Sequence, residues 1–225
     1  MTQRVLSAAL VVLLVSAAAY GALYIAPTER TMGTIQRIFY LHVPSGWTAF
    51  VAFFISFIAN LFYVFRRQPR WDWLGVSAAE VGVAFTTVLL ITGPIWAHPV
   101  WGIWWTWDER LTSTFVLWLL YISYLLLRTL IEEPDRRALL SALFGIFAFL
   151  DVPIVYGSIR WWRTQHPQPV VMGAAGSGLE PTMLRVLLFS WVAMLSLMSL
   201  LIWQRYRLEA MRGEIEHLKR EADTA

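Results

Sequence analysis

Six stretches of 17 to 22 residues, at 5–26, 47–65, 81–97, 111–127, 138–159 and 186–203, carry between them a single charged side chain, Asp151. A bilayer core about 30 Å thick is crossed by roughly 17–25 apolar residues in helix, because lipid offers exposed backbone groups no hydrogen-bond partner. The pattern predicts an all-α polytopic membrane protein: a six-span transmembrane bundle over residues 1–203, then a charged tail helix over 204–225. Of the 225 residues 58% are apolar and 15% charged, where a soluble domain carries about 25% charged residues. Those proportions exclude a typical water-soluble enzyme, and the length leaves no room for a separate catalytic domain.

The basic residues predict which way the bundle faces. With the N-terminus inside, 12 of them fall on the cytoplasmic side, among them Arg66, Arg67, Arg136 and Arg137, and 6 on the other. By the positive-inside rule both termini are then cytoplasmic. The first run imitates a signal peptide in its basic start and its small residues Ala17, Ala18 and Ala19. Its 22 residues exceed the usual apolar core of about 7–15, so it reads as an anchor. In the tail, Leu208, Met211, Ile215 and Leu218 form a narrow apolar stripe suited to a surface or partner contact, while His217 sits among charges on a solvated face. With no cysteine the chain forms neither a disulfide nor a thiolate metal site.

The cytoplasmic connections are short and charged. The outward ones, 27–46, 96–110 and 158–181, are longer, rich in aromatic residues, and hold His42, His98 and His166. Loops that carry more than turning requires are where function is sought. A lone histidine in such a loop also reads as a cap or a solvated residue, and His98, beside Pro99, reads as interfacial.

Five tryptophans, Trp96, Trp101, Trp104, Trp105 and Trp107, crowd into 12 residues of a chain that has 13 in all. An interfacial belt accounts for any one of them, but less well for the cluster. On a helix Trp101, Trp104, Trp105 and Asp108 would share one face, closed by Asp108 and Arg110, and could lie flat on the bundle as an aromatic platform. A platform of indoles suits a large planar ligand, since stacking needs no buried polar partner. Haem is such a ligand: its iron takes an imidazole nitrogen from each side and its propionates take arginine. The imidazole candidates are His42, in Tyr40-Leu41-His42-Val43-Pro44, and His166, in Trp161-Trp162-Arg163-Thr164-Gln165-His166-Pro167. For the propionates the candidates are Arg37, Arg110, Arg160 and Arg163.

The run Trp101-Gly102-Ile103-Trp104-Trp105-Thr106-Trp107-Asp108-Glu109-Arg110-Leu111-Thr112-Ser113 closely resembles the tryptophan-rich signature of the haem-handling membrane proteins of cytochrome c maturation. Among these, the six-span length and the patterns at 40–44 and 161–166 resemble the haem exporter protein C family, over residues 37–203. The resemblance implies that His42 and His166 are the axial ligands of a transiently held haem b. It implies that Trp101, Gly102, Trp104, Trp105, Trp107, Asp108 and Arg110 hold the porphyrin and present its edge to a periplasmic haem chaperone. It also implies a multi-pass protein of the bacterial inner membrane with its haem site facing the periplasm. The implied partners are the ATPase and membrane subunits of an ABC transporter and a small membrane subunit. The chain departs from the family at Asp151, where a neutral residue is expected, and at His98, where a basic one is.

A holder of this kind is not an enzyme. The sequence has no phosphate-binding loop and one lysine, Lys219, so ATP hydrolysis falls to another subunit; no nucleic-acid partner is expected. Two other functions fit parts of the pattern. A cytochrome b-like electron-transfer subunit would carry its histidines inside helices, and a proton- or ion-coupled carrier would use Asp151 and Glu80 with the tryptophans as belt residues.

Overall fold

A computed structural model describes residues 2–162, 164–167, 171 and 178–224; Arg163, one of the propionate candidates, lies outside them, as does the side chain of His217. Among the described residues the chain is helical with no strand. The helices are α1 (Thr2–Tyr20), α2 (Phe39–Arg66), α3 (Pro69–Trp101), α4 (Glu109–Leu130), α5 (Pro134–Phe149), α6 (Asp151–Trp161) and α7 (Pro181–Thr224). A wide turn, Gly21–Ile25, prolongs α1, and a tight one, Thr34–Ile38, leads into α2. Six helical segments are long and apolar enough to cross a membrane: Arg4–Ile25, Thr34–Arg66, Pro69–Trp101, Glu109–Leu130, Pro134–Trp161 and Pro181–Ala222. One end of the bundle gathers Glu29, Met32, Trp105 and His166, and the other gathers Arg67 and Pro134 with Glu209 and Arg212 of the α7 tail.

These helices outrun the uncharged stretches, because charges that end an apolar run need not end a helix when they are paired. Asp72 in the first turn of α3 accepts from both Nη atoms of Arg128 on α4, at 2.6 and 2.8 Å, with Asp72 buried and the Arg128 side chain 10% exposed. Glu80 pairs with Arg205, which also reaches Glu209 at 3.2 Å; farther along, Arg137 bonds Glu216 at 3.1 Å. The Arg137–Glu216 contact docks the tail against α5, and the sixth span and the tail form one unbroken helix. Its stripe of Leu208, Met211, Ile215 and Leu218 remains exposed.

Removing one member of a buried pair strands the other charge at a cost of about 3–5 kcal/mol. Asp72→Asn is therefore expected to lower stability by about 3 kcal/mol, read by thermal unfolding in detergent, while the joint change Asp72→Leu with Arg128→Met recovers most of it. An unchanged Tm in the single variant would show that the pair contributes nothing.

Small residues let the central helices close on one another, as apolar association within lipid requires. Gly82 is the clearest case: a Cβ there would come within 2.4 Å of the Phe53 ring, which in turn stacks on Tyr121 at 3.8 Å between centroids. The core of Ala49, Ala52, Phe53, Ala78, Leu117 and Tyr121 sits at this contact. The fifth crossing is broken at Leu150, between α5 and α6. Pro153 is the cause: it has no N–H to give, and its ring clashes with the carbonyl four residues back, so the ladder fails there. Asp151 sits at the break with its Oδ2 buried and without a partner among the described residues.

Candidate functional site

Two adjoining cavities, of about 280 and 80 Å³, lie at the end of the bundle that carries the tryptophan-rich segment. His42, Gly93, Trp96, Arg110 and His166 line both. Four stretches distant in the sequence thus converge: the first turn of α2, the last turns of α3, the start of α4 and the segment after α6. The larger cavity is walled by apolar side chains, including Phe39, Val43, Trp47 and Ile159. A wider cleft of about 870 Å³ opens at the other end, but its walls are charges such as Asp72, Arg128, Arg137 and Glu216 that already pair with one another. The apolar pair with its few convergent polar groups is the ligand-site candidate.

His42 is helical rather than in a loop, because α2 begins at Phe39. Its Nδ1 lies 2.9 Å from Thr92 Oγ1 on α3. His166 has its backbone N–H on Thr164 Oγ1 at 3.1 Å and its Nδ1 3.0 Å from the carbonyl of Pro167. A carbonyl only accepts, so His166 donates through Nδ1–H and Nε2 keeps its lone pair. Burial first, and the positive Arg110 next, pull this imidazole from 6.5 down to about 4, so it is neutral at physiological pH.

The tryptophan-rich segment is not a helix face. Gly102 adopts φ 76°, its N–H closes on His98 O at 2.8 Å, and α3 stops at Trp101. A glycine in the left-handed region is a common way to end a helix. The next helix starts at Glu109 because Asp108 caps it, accepting Leu111 N–H at 3.0 Å and the Thr106 hydroxyl at 3.2 Å. Residues 102–108 therefore cross as an irregular strap, and the indoles divide. Trp101 and Trp105 line the smaller cavity. Trp104 and Trp107 are 58% and 74% exposed, with Trp104 stacked on His98 at 4.2 Å.

The family model described as Heme exporter protein C matches residues 1–221. The chain belongs to the haem exporter protein C family. It is similar to Heme exporter protein C of Bradyrhizobium diazoefficiens, 35% identical over 218 residues that cover 96% of this chain and 80% of that one. It is likewise similar to the Escherichia coli strain K12 protein of the same name, 32% identical over 184 residues, covering 81% and 73%.

Residues of this haem exporter protein C relative that line the cavities fit haem in two respects beyond the imidazoles. Trp105 Nε1 is buried at the wall of the smaller cavity with no partner among the described residues, a donor left for a ligand, while Gln36 lines the larger one. Arg110 and Arg160 line the larger cavity; Arg110 is anchored on the Val155 carbonyl of α6, and Arg160 lies over the Tyr156 ring at 5.3 Å. Arg37 instead reaches back to Ala22 O at 3.0 Å. His98 lines neither cavity.

Sequence reasoning missed Thr92, Gly93 and Gln36. Gly93 leaves an open wall beside His42, whose Cε1 lies 3.4 Å from where a Cβ would sit. Nothing in the local pattern marks Thr92 and Gly93, which look like ordinary small residues of a span; only the crossing of α2 and α3 brings them to His42.

Proposed function

We propose that this chain holds haem between His42 and His166 at the outer end of the bundle and hands it to a periplasmic haem chaperone during c-type cytochrome maturation. The observation that carries the reading is the meeting of two imidazoles, distant in the chain, on the walls of the same apolar cavities. Haem supplies an iron with two axial positions and a pair of propionates. His42 and His166 offer Nε2 to the metal, Trp101 and Trp105 cover apolar ring surface, and Arg110 and Arg160 offer charge-assisted hydrogen bonds to carboxylates. Gly102 and Asp108 shape the strap that leaves Trp104 and Trp107 facing outward as the surface of delivery. Two imidazoles filling both axial positions suit a carrier rather than oxygen chemistry.

The setting follows from the same reading: the bacterial inner membrane, both termini cytoplasmic, and an assembly with an ABC transporter's ATPase and membrane subunits and a small membrane subunit. The 12 basic residues assigned to the cytoplasmic side against 6 support that orientation. Reporter fusions after Pro134 should behave as cytoplasmic and those after Gln168, which lies outside the described residues, as external; the reverse pattern would invert the bundle. Of the acids a carrier would use, Glu80 is already held by Arg205. Of the ligands an electron-transfer subunit would place on helices, His166 is in a loop.

Titrating the purified chain with haem tests the proposal. A saturable complex with the low-spin spectrum of two nitrogen ligands is the expected result, and a high-spin or non-saturable one would overturn it.

A further inference from the structure

Thr92 sits on α3 with its hydroxyl oxygen 2.9 Å from His42 Nδ1, 2.7 Å from the carbonyl of Val88 and 3.3 Å from that of Leu89. A hydroxyl has one proton to give and two lone pairs to receive with. The two carbonyls belong to its own helix and only accept, so the proton goes to them, chiefly to Val88 at the shorter distance. What the hydroxyl turns toward the imidazole is a lone pair. The hydrogen atom in the Thr92–His42 contact is then the one on Nδ1, and Nε2 is left bare.

We infer that Thr92 is a positioning residue for haem: it fixes His42 in the Nδ1–H tautomer and holds its ring so that Nε2 is the donor to the metal. The inference rests on the reading of His42 as a ligand. A metal-bound imidazole almost always gives its other N–H to an oxygen, which fixes the tautomer, orients the ring and raises its basicity. His166 meets the same need through the Pro167 carbonyl, which no substitution removes. For His42 the oxygen is a side chain on a neighbouring helix, and it is open to mutation. The sequence gives the pair no common signal, since the two residues belong to different spans.

Thr92→Val keeps the branched shape and deletes the acceptor; Thr92→Ser keeps the acceptor and loses a methyl. In haem-free protein with 15N-labelled histidine, the wild type and Thr92→Ser should show His42 protonated at Nδ1 only. Thr92→Val should show a mixture or the opposite tautomer, at an unchanged unfolding midpoint. Haem affinity should fall about 10–100-fold in Thr92→Val, the usual cost of losing such a partner, and recover in Thr92→Ser. The reduction potential of the bound haem should rise as the ligand becomes less basic.

A single Nδ1–H tautomer that survives in Thr92→Val, or an Nε2–H tautomer in the wild type, would overturn the inference even if haem is bound as proposed. A spectrum of the haem complex unmoved by His42→Ala would instead overturn the ligand reading on which it rests, whatever the tautomer. The haem-free tautomer and the haem spectrum thus separate the two failures.

Discussion

Replacing His42 and His166 together with alanine is expected to abolish saturable haem binding while leaving the folded bundle in place. The magnitude follows from metal sites in general. Losing a mere outer partner of a ligand costs 10–100-fold in affinity, so losing a ligand should cost at least about 100-fold, and losing both should leave only non-specific partition. Each single variant should differ in kind from the double: one imidazole remains, the iron becomes five-coordinate, and the spectrum turns high-spin. Neither side chain is spent on the helix core, so secondary structure and unfolding temperature should hold.

Acid sharpens the test. His166 has a folded pKa lowered from 6.5 to about 4, so its neutral form is the folded form, and its lone pair should stay available at about pH 5.5, where a free histidine is mostly protonated. The sign for stability is the matching one. The unfolded chain takes up this proton first, so His166 weakens the haem-free fold as the pH drops through 6.5 toward 4 and adds no further loss below that. Absorption spectra of the haem-bound His42→Ala variant between about pH 5 and 8 check the first point, and unfolding midpoints of haem-free protein with and without His166 over the same range check the second. A double variant that still binds haem saturably with two nitrogen ligands would remove the pair from the site.

The second large effect is a division of labour among the indoles. Trp101 and Trp105 line the cavity and Trp104 and Trp107 face outward. An aromatic contact contributes about 0.5–1.5 kcal/mol beyond its area, so removing Trp101 and Trp105 together should weaken haem binding roughly 5–150-fold. Removing Trp104 and Trp107 should leave binding unchanged and slow delivery to the chaperone at least about tenfold, since each 1.4 kcal/mol of lost encounter contact is one factor of ten. Equilibrium titration reads the first effect and transfer to an acceptor protein the second. Wild-type transfer by the outward pair's variant would reduce those indoles to an interfacial belt. Equal loss of binding in both variants would mean that the strap acts as one platform.

That strap shows where local reading runs out. The spacing of Trp101, Trp104, Trp105 and Asp108 suits a helix face, and nothing in hydropathy contradicts it. Two residues decide otherwise: Gly102 in the left-handed region ends α3, and Asp108 caps α4. Both signals were present in the sequence, a glycine and a capping acid six positions apart, but the apolar periodicity around them is strong enough to mask them. The histidines present a different gap. His42 reads as a loop residue because the apolar run before the second span is interrupted by Pro44 and Gly46, yet the structure begins the helix at Phe39.

The sequence by itself determined that this chain is a bundle of six membrane-crossing helices, because long uncharged runs have no other way to satisfy their backbone in lipid. It also determined the family, because the tryptophan-rich run is contiguous and can be read in one place. Only the tertiary structure decided that Thr92 backs His42 and that Gly93, Arg110 and Trp96 share walls with both imidazoles. It alone decided, too, that Asp72 and Glu80 are spent on Arg128 and Arg205. Hydropathy and periodicity are properties of neighbours along the chain, whereas these contacts join residues tens of positions apart and depend on how closely glycine and alanine let one helix lie against the next.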